Sequence, residues 1–311
     1  MLAIFGPTGV GKTAVAIALA ELLRADGEDP VAVSADALQV YRGLETLTGA
    51  ATAAERERLE HRLLGFLDPD APFSAGRYAQ LAHREIDALL ETGRRPIVVG
   101  GTGLYLRAAL ADLELRPPVP DAIRERRRAQ LHEQGAAALH AELAARAPAA
   151  AAAVRPTDSQ RVVRALELLD AGHAPPAGDE LWASANRHPT LLAGLTMERD
   201  ALKRRIDARI EAMVAAGAAD EVRAAERRGA SPTVRKALGF RELLAGDVEA
   251  MRRSTHRYTR RQLTWMRKLT DVRLIDVTGR EPEDVAAELH RALRAWRPCG
   301  SRSGRPSATT T

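Results

Sequence analysis

Between a short apolar run, Leu2-Ala3-Ile4-Phe5, and an alanine-rich apolar run, Ala14 to Leu23, the chain carries Gly6-Pro7-Thr8-Gly9-Val10-Gly11-Lys12-Thr13. Gly6, four residues and then Gly11-Lys12-Thr13 satisfy G-x-x-x-x-G-K-[ST], in which backbone N–H groups wrap phosphate oxygens at the positive end of a helix. A strand before this loop and a helix after it define a βα unit, the building block of a parallel sheet. The expected fold is therefore α/β, a P-loop NTPase-like parallel sheet flanked by helices. Within the loop Lys12 neutralises phosphate and the Thr13 hydroxyl ligates Mg²⁺. The phosphate compound stays open, because kinases, nucleotide hydrolases and diphosphate-releasing transferases share this loop.

Further strands are expected at Pro30 to Ser34, Pro96 to Val99, Thr190 to Leu195 and Val272 to Val277. Asp36 follows the second of them, at the carboxyl edge where open α/β sheets bind ligands. The run Asp36-Ala37-Leu38-Gln39-Val40-Tyr41 brings a carboxylate, an amide and a phenol close to the phosphate loop. Asp36 suits a general base, a Mg²⁺ partner, or a turn or N-cap residue. After the third strand, Gly100-Gly101-Thr102-Gly103 makes a second glycine-rich turn, with Thr102 facing the same edge as Asp36. Residues 52–64 and 76–90 have the character of scaffold helices, the second by apolar spacing.

At Arg116-Pro117-Pro118-Val119-Pro120 the composition shifts, and the stretch to about Gly178 is rich in Ala, Leu, Glu and Arg, which favours helices. The expected division is a catalytic core of residues 1–115 and 189–297, an all-helical insertion of residues 116–188, and a disordered tail of residues 298–311. In the insertion, Arg124 opens a basic helix start. In Gln160-Arg161-Val162-Val163-Arg164, helical periodicity separates Val162 and Val163 from a Gln-Arg-x-x-Arg face suited to bases and phosphates. Beyond it, Arg205 and Arg209 recur beside apolar Leu202, Ile206 and Ile210, a spacing that normally gives solvated arginines but from which Arg205 or Arg209 can reach a diphosphate. Residues 252–268 hold seven Lys or Arg around Tyr258 and Trp265. The predicted apolar stripe there runs through Met251, Tyr258, Trp265 and Leu269 and includes Gln262, an amide that needs substrate or backbone as partner.

With 311 residues, 45% of them apolar, the chain is long enough for a full core. Its one cysteine, Cys299, offers neither a disulfide framework nor a cysteine zinc site, which fits a reducing compartment. No leader pattern and no apolar run of membrane-spanning length is visible, so no membrane is expected and the expected location is cytoplasmic. A net charge of +5 with clustered arginine points to an acidic partner such as nucleic acid.

Taken together and in order, the phosphate loop, Asp36-Ala-Leu-Gln-Val-Tyr-Arg-Gly-Leu, Val99-Gly-Gly-Thr-Gly-Leu-Tyr-Leu, Gln160-Arg-Val-Val-Arg-Ala-Leu-Glu and Arg261-Gln-Leu-Thr-Trp-Met-Arg resemble the bacterial tRNA dimethylallyltransferases. The resemblance runs from residue 2 to about 278. It implies transfer of a dimethylallyl group from dimethylallyl diphosphate to N6 of adenosine 37 in tRNAs reading codons that begin with U, by a monomer using Mg²⁺. Carried over by matching motif, Gly6, Pro7 and Thr8 to Thr13 hold the isoprenoid diphosphate with help from Arg205 or Arg209. Asp36 is the base, with Lys12, Thr13 and Thr102 in the catalytic set. Contacts to tRNA fall on Asp36, Ala37, Leu38, Gln39, Thr102, Arg124, Gln160, Arg161, Val162, Val163, Arg164, Arg261, Gln262 and Trp265, so that core and insertion both grip the anticodon loop.

The pattern departs from the family after Leu44, where Glu45-Thr46-Leu47-Thr48-Gly49-Ala50-Ala51 replaces the usual Asp-Ile-Gly-Thr-Ala-Lys-Pro and its lysine. Arg42 and Arg56 are the nearby cations that stand to replace it. Rival readings are a small-molecule kinase, a nucleotide-switched binding protein and a non-catalytic RNA binder. The kinase has no use for the Gln-Arg-x-x-Arg helix, the GTP switch lacks an Asn-Lys-x-Asp, and the RNA binder leaves Lys12 and Thr13 idle.

Overall fold

A computed structural model describes residues 1–113, 116, 119–176 and 185–296. Residues 177–184 and the expected disordered tail, residues 298–311, lie outside the described residues. Six strands, β1 (Leu2–Phe5), β2 (Pro30–Ser34), β3 (His61–Arg62), β4 (Arg95–Gly100), β5 (Leu191–Thr196) and β6 (Val272–Asp276), form one sheet in the order β3-β2-β4-β1-β5-β6. Every pairing is parallel, and β1 sits in the interior, Leu2 facing Ile97 on one side and Leu191 on the other. A parallel strand covered on both faces needs an unbroken apolar run, and Leu2, Ala3, Ile4 and Phe5 are all fully buried.

The order places β2, β4 and β1 side by side, so the loops at their carboxyl ends are neighbours. These are the Asp36 loop, the Gly100–Thr102 turn and the phosphate loop. That adjacency, set by backbone pairing alone, assembles the site.

Among the described residues the α-helices are α1 (Lys12–Ala25), α2 (Glu45–Thr48), α3 (Ala53–Arg58), α4 (Ala75–Glu91), α5 (Gly103–Leu110), α6 (Asp121–Arg146), α7 (Pro148–Ala152), α8 (Ser159–Asp170), α9 (Arg199–Ala215), α10 (Ala218–Arg227), α11 (Phe240–Leu244), α12 (Val248–Met266) and α13 (Pro282–Ala295). A single helix over 52–64 is not what forms: α3 stops at Arg58, Leu59 turns extended, and His61 and Arg62 pair with β2. Leu59 is fully buried, and docking it at the sheet edge outweighs the helical preference of its charged neighbours.

The stripe of α12 also differs from the predicted one. Its buried residues are Met251, Thr255, Thr259, Gln262 and Met266, while Tyr258 and Trp265 lie half-buried at the margin. Two threonines fit an apolar interface because each hydroxyl donates to the carbonyl four residues earlier, Thr255 to Met251 at 2.7 Å and Thr259 to Thr255 at 2.9 Å.

The chain divides into two compact units, residues 1–110 with 186–311 and residues 111–185. The second is helical among its described residues. Its α6 is really two helices, broken at Gly135, whose φ of 78° and ψ of 167° suit glycine alone. Leu139, Leu143, Ala150, Ala151, Val162, Val163, Ala165 and Leu166 make its core. Beside that core, buried Arg127 donates to Asp170 at 2.6 and 2.7 Å and to Glu142 at 2.8 and 2.9 Å. No helix among the described residues is long and apolar enough to cross a membrane.

Candidate active site

The phosphate loop leaves β1 and enters α1 through Gly11, whose φ of 99° lies in the left-handed region. A Cβ there would come 3.2 Å from the Arg205 guanidinium, so the glycine also lets a cation approach the loop. Lys12 Nζ donates to the carbonyls of Gly6 and Pro7, both at 3.0 Å, curling back over its own loop. Burial, reinforced by Arg209, lowers the Lys12 pKa to about 8, with Asp36 opposing. An anion in the loop would restore the lysine's charge.

Gln262 braces this loop from beneath. Thr8 N donates to its Oε1 at 2.9 Å, and its Nε2 donates to Gly101 O at 2.7 Å. One buried amide, 2% exposed, thus joins the phosphate loop to the second glycine-rich turn. Its expected place among the tRNA contacts is corrected accordingly: both ends of the amide are spent on backbone, and no face is left for RNA.

Arg205 and Arg209, one turn apart on α9, bring the positive charge. Arg205 is exposed beside Gly11; Arg209 is half-buried, and a Cβ at Gly49 would overlap its guanidinium. Burial lowers the Arg209 pKa, Asp36 raises it and Arg205 lowers it further. No ion pair engages either arginine among the described residues, so the two cations stand available to an anion. Gly49 lies in the segment that departs from the family pattern. The cation beside that segment is therefore Arg209, whereas Arg42 donates to Phe66 O at 2.7 Å and faces Asp68 at 3.5 Å. Gly49 is the left-handed C-cap of α2, with a φ of 57°, so in the sequence it reads as a helix stop and gives no sign of the arginine beside it.

Asp36 sits half-buried just past β2. Its Oδ1 accepts from Leu38 N at 2.9 Å, an Asx turn that fixes the carboxylate, and its Oδ2 accepts from Thr102 Oγ1 at 3.4 Å. Thr102 in turn lies 3.2 Å from the Tyr258 hydroxyl. Gln39 accepts from Ser34 Oγ at 3.0 Å and donates weakly toward Thr48 O and Gly49 O at 3.5 and 3.4 Å, while Ala37 and Leu38 are half-buried. On α12, Arg261 is exposed and Trp265 half-buried, both packed at the Tyr258 ring.

In the helical unit, Gln160 and Arg161 are exposed and Arg164 half-buried on one face of α8. Arg161 faces Asp158 at 3.7 Å, Arg164 faces Glu167 at 3.3 Å, and Arg124 on α6 faces Asp121 at 3.5 Å. Val162 and Val163 are corrected: at 0% and 8% exposure they belong to that unit's core and present no surface to RNA.

Among the described residues no cluster of three His, Cys, Asp or Glu exists to cage a metal. Thr13, half-buried at the first turn of α1, offers a hard hydroxyl oxygen with no intramolecular hydrogen bond among the described residues. One hydroxyl beside a phosphate cradle suits a cation held mainly by substrate oxygens and water, which is how Mg²⁺ is commonly bound.

A parallel sheet whose neighbouring strand-end loops carry a phosphate loop and a fixed carboxylate, with two arginines of α9 beside them that have no ion pair among the described residues, is a P-loop α/β protein with a site for a phosphorylated substrate. The family model described as IPP transferase matches residues 39–269. The chain is 38% identical to the tRNA dimethylallyltransferase of Symbiobacterium thermophilum over 98% of both chains, and 42% identical to that of Anaeromyxobacter sp. strain K over 96% of this chain and 98% of the relative. It therefore belongs to the tRNA dimethylallyltransferase (IPP transferase) family. Among solved structures, the full-length tRNA isopentenylpyrophosphate transferase of Bacillus halodurans matches with a TM-score of 0.67 at 33% identity, over 94% of this chain and 95% of that one. A eukaryotic dimethylallyltransferase acting on tRNA matches at 0.75 over 97% of this chain and 81% of that one, and at 23% identity this shows the fold alone.

Proposed function

We propose that this chain transfers the dimethylallyl group of dimethylallyl diphosphate to N6 of adenosine 37 in tRNAs that read codons beginning with U. The C1–O bond breaks with its electrons leaving on diphosphate, and the N6–C1 bond forms as N6 gives up a proton. The observation that carries this reading is the placement of Asp36, with Thr102 on its Oδ2 at 3.4 Å, at the strand end next but one to the phosphate loop.

Each residue has a task. The loop amides, Lys12, Arg205 and Arg209 bind diphosphate and stabilise the charge that grows as C1–O breaks. Thr13 would hold Mg²⁺, which supplies further charge neutralisation on the leaving group. An exocyclic adenine amine is a weak nucleophile, and Asp36 accepts its proton as the bond forms. Adenosine 37 has to leave the anticodon-loop stack to reach Asp36, as bases do in other enzymes that act on them. Exposed Gln160 and Arg161 with Arg164 on α8, Arg124 on α6, and Arg261 and Trp265 on α12 are the groups offered to the RNA. The enzyme is read as a cytoplasmic monomer.

Incubation with unmodified tRNA, Mg²⁺ and labelled dimethylallyl diphosphate, followed by nucleoside analysis, tests the reading. Label is expected in adenosine, and Asp36→Ala is expected to lower the transfer rate by about 10²- to 10⁴-fold while tRNA affinity largely survives. Transfer of label from γ-labelled ATP to a small molecule, with none from the isoprenoid entering tRNA, would make the chain a kinase instead.

A further inference from the structure

Tyr258 has no part in the chemistry so far, yet its hydroxyl lies 3.2 Å from Thr102 Oγ1, which lies 3.4 Å from Asp36 Oδ2. The direction of these two bonds follows from counting protons. An ionised carboxylate only accepts, so the single hydroxyl hydrogen of Thr102 points to Asp36. The Tyr258 hydroxyl then has to be the donor to Thr102. Burial, above all, with Asp36 adding to it, raises the Tyr258 pKa to about 12, so the phenol keeps that hydrogen throughout the neutral range.

The ring is held for this purpose. Trp265 packs edge-on against it at 6.2 Å between centroids and 87° between planes, and the Arg261 guanidinium lies 5.8 Å from its centroid. One helical turn further along α12, Gln262 donates to Gly101 O at 2.7 Å. Positions four apart share a helix face, so α12 meets residues 101 and 102 with two polar side chains one turn apart. Gln262 fixes the backbone and Tyr258 fixes the hydroxyl.

We propose that Tyr258 is a positioning residue that locks the Thr102 hydroxyl as a donor to Asp36 and leaves Thr102 one lone pair for the hydrogen that stays on the attacking amine. This rests on the reading of Asp36 as the base. Thr102 has two acceptor positions and one donor; with one acceptor filled by Tyr258 and the donor aimed at Asp36, its polarity toward substrate is fixed as acceptor. An exocyclic amine matches that polarity, because it must surrender one hydrogen and still place the other.

The test is a double-mutant cycle on kcat at saturating tRNA and dimethylallyl diphosphate. Tyr258→Phe keeps the ring and its packing, and is expected to lower kcat about fivefold, the worth of one neutral hydrogen bond, with both KM values within twofold. In a Thr102→Val background the same substitution is expected to cost nothing further, because Tyr258 acts only through the hydroxyl that has gone. An undiminished loss in the Thr102→Val background, a change confined to KM, or a Tyr258→Phe enzyme at full rate would each overturn the proposal. Asp36→Asn measured in parallel keeps the two ideas apart: a full-rate Asp36→Asn enzyme removes the base, whereas the Tyr258–Thr102 coupling is read without reference to that variant.

Discussion

At the scale of single residues, the anion site depends on glycines as much as on cations. Gly49 makes room for the Arg209 guanidinium, and any side chain there meets the far end of that flexible arginine before it meets backbone. Gly49→Ala therefore displaces Arg209 while leaving the fold intact apart from about 1 kcal/mol of left-handed strain. It is expected to reproduce Arg209→Ala, each raising the KM for dimethylallyl diphosphate about tenfold or more, the loss of one charge-assisted hydrogen bond. The double variant should be no worse than either single one, and additive losses in steady-state kinetics would place Arg209 elsewhere. Lys12 carries a pH signature of its own. With its pKa lowered to about 8 in the free loop, it is charged below that pH and loses its charge as pH rises through it. A bound anion pulls the proton back, so binding of inorganic diphosphate above about 8 takes up a proton that binding at neutral pH does not. Calorimetry in buffers of different ionisation enthalpy should detect this uptake, and Lys12→Arg, which stays charged, should abolish it.

At the scale of elements, α6 and α8 are tied by Asp170. Burial pushes its pKa up, but hydrogen bonds from Arg127, Arg126 and Arg146 outweigh burial and hold the carboxyl far below the usual carboxylate range. A carboxylate depressed in the folded state contributes stability that is present above its unfolded pKa, near 3.9, and is lost as pH falls toward the folded value. Asp170→Asn is expected to cost about 3 kcal/mol at neutral pH, because it removes one of the two carboxylates that neutralise buried Arg127 and leaves Glu142 alone to do so. Urea unfolding should show the gap between wild type and variant narrowing below about pH 4, and a constant gap would mean that Asp170 acts by packing alone. None of this was visible in the sequence, where Arg127 and Asp170 are 43 positions apart and Arg127 is one of several arginines in the basic helix start that Arg124 opens. The strands were legible for the opposite reason: a buried parallel strand such as Val31 to Val33 must be apolar at consecutive positions, and that signal is local. Two-residue β3 left no such run. On α12 the predicted stripe passed through Tyr258 and Trp265 because helical periodicity weighs large aromatic residues above threonine. The structure buries Thr255 and Thr259 instead, since their hydroxyls are satisfied within the helix. Gln262 was recognised as needing a partner, and only the fold could show that the partner is backbone on both sides.

At the scale of the whole molecule, the sheet brings its loops together without help from the helical unit. Asp36, Thr102, the phosphate loop, Arg205, Arg209 and Gln262 all lie within residues 1–110 and 186–311. The points where the chain leaves and rejoins this unit are close, because Arg187 N donates to Leu110 O at 2.7 Å and Arg107 donates to Asn186 Oδ1 at 2.7 Å. Both Arg187 and His188 are further anchored on Asp87 of α4, at 3.0 and 2.6 Å. Ends pinned this closely permit deletion of residues 111–185 and their replacement by a linker of about three residues, since each residue spans up to ~3.5 Å. The shortened chain is expected to fold cooperatively and to bind inorganic diphosphate as the full chain does. It is also expected to lose transfer to tRNA through a KM for tRNA raised by at least about tenfold, because on the proposed reading the cationic face of α8 makes phosphate contacts that position RNA without touching the reacting atoms. Retention of diphosphate binding, read by calorimetry, separates loss of RNA positioning from loss of the fold. A shortened enzyme that modifies tRNA with unchanged KM would free Gln160, Arg161 and Arg164 from any part in recognition and leave tRNA binding to α12 and the Asp36 loop.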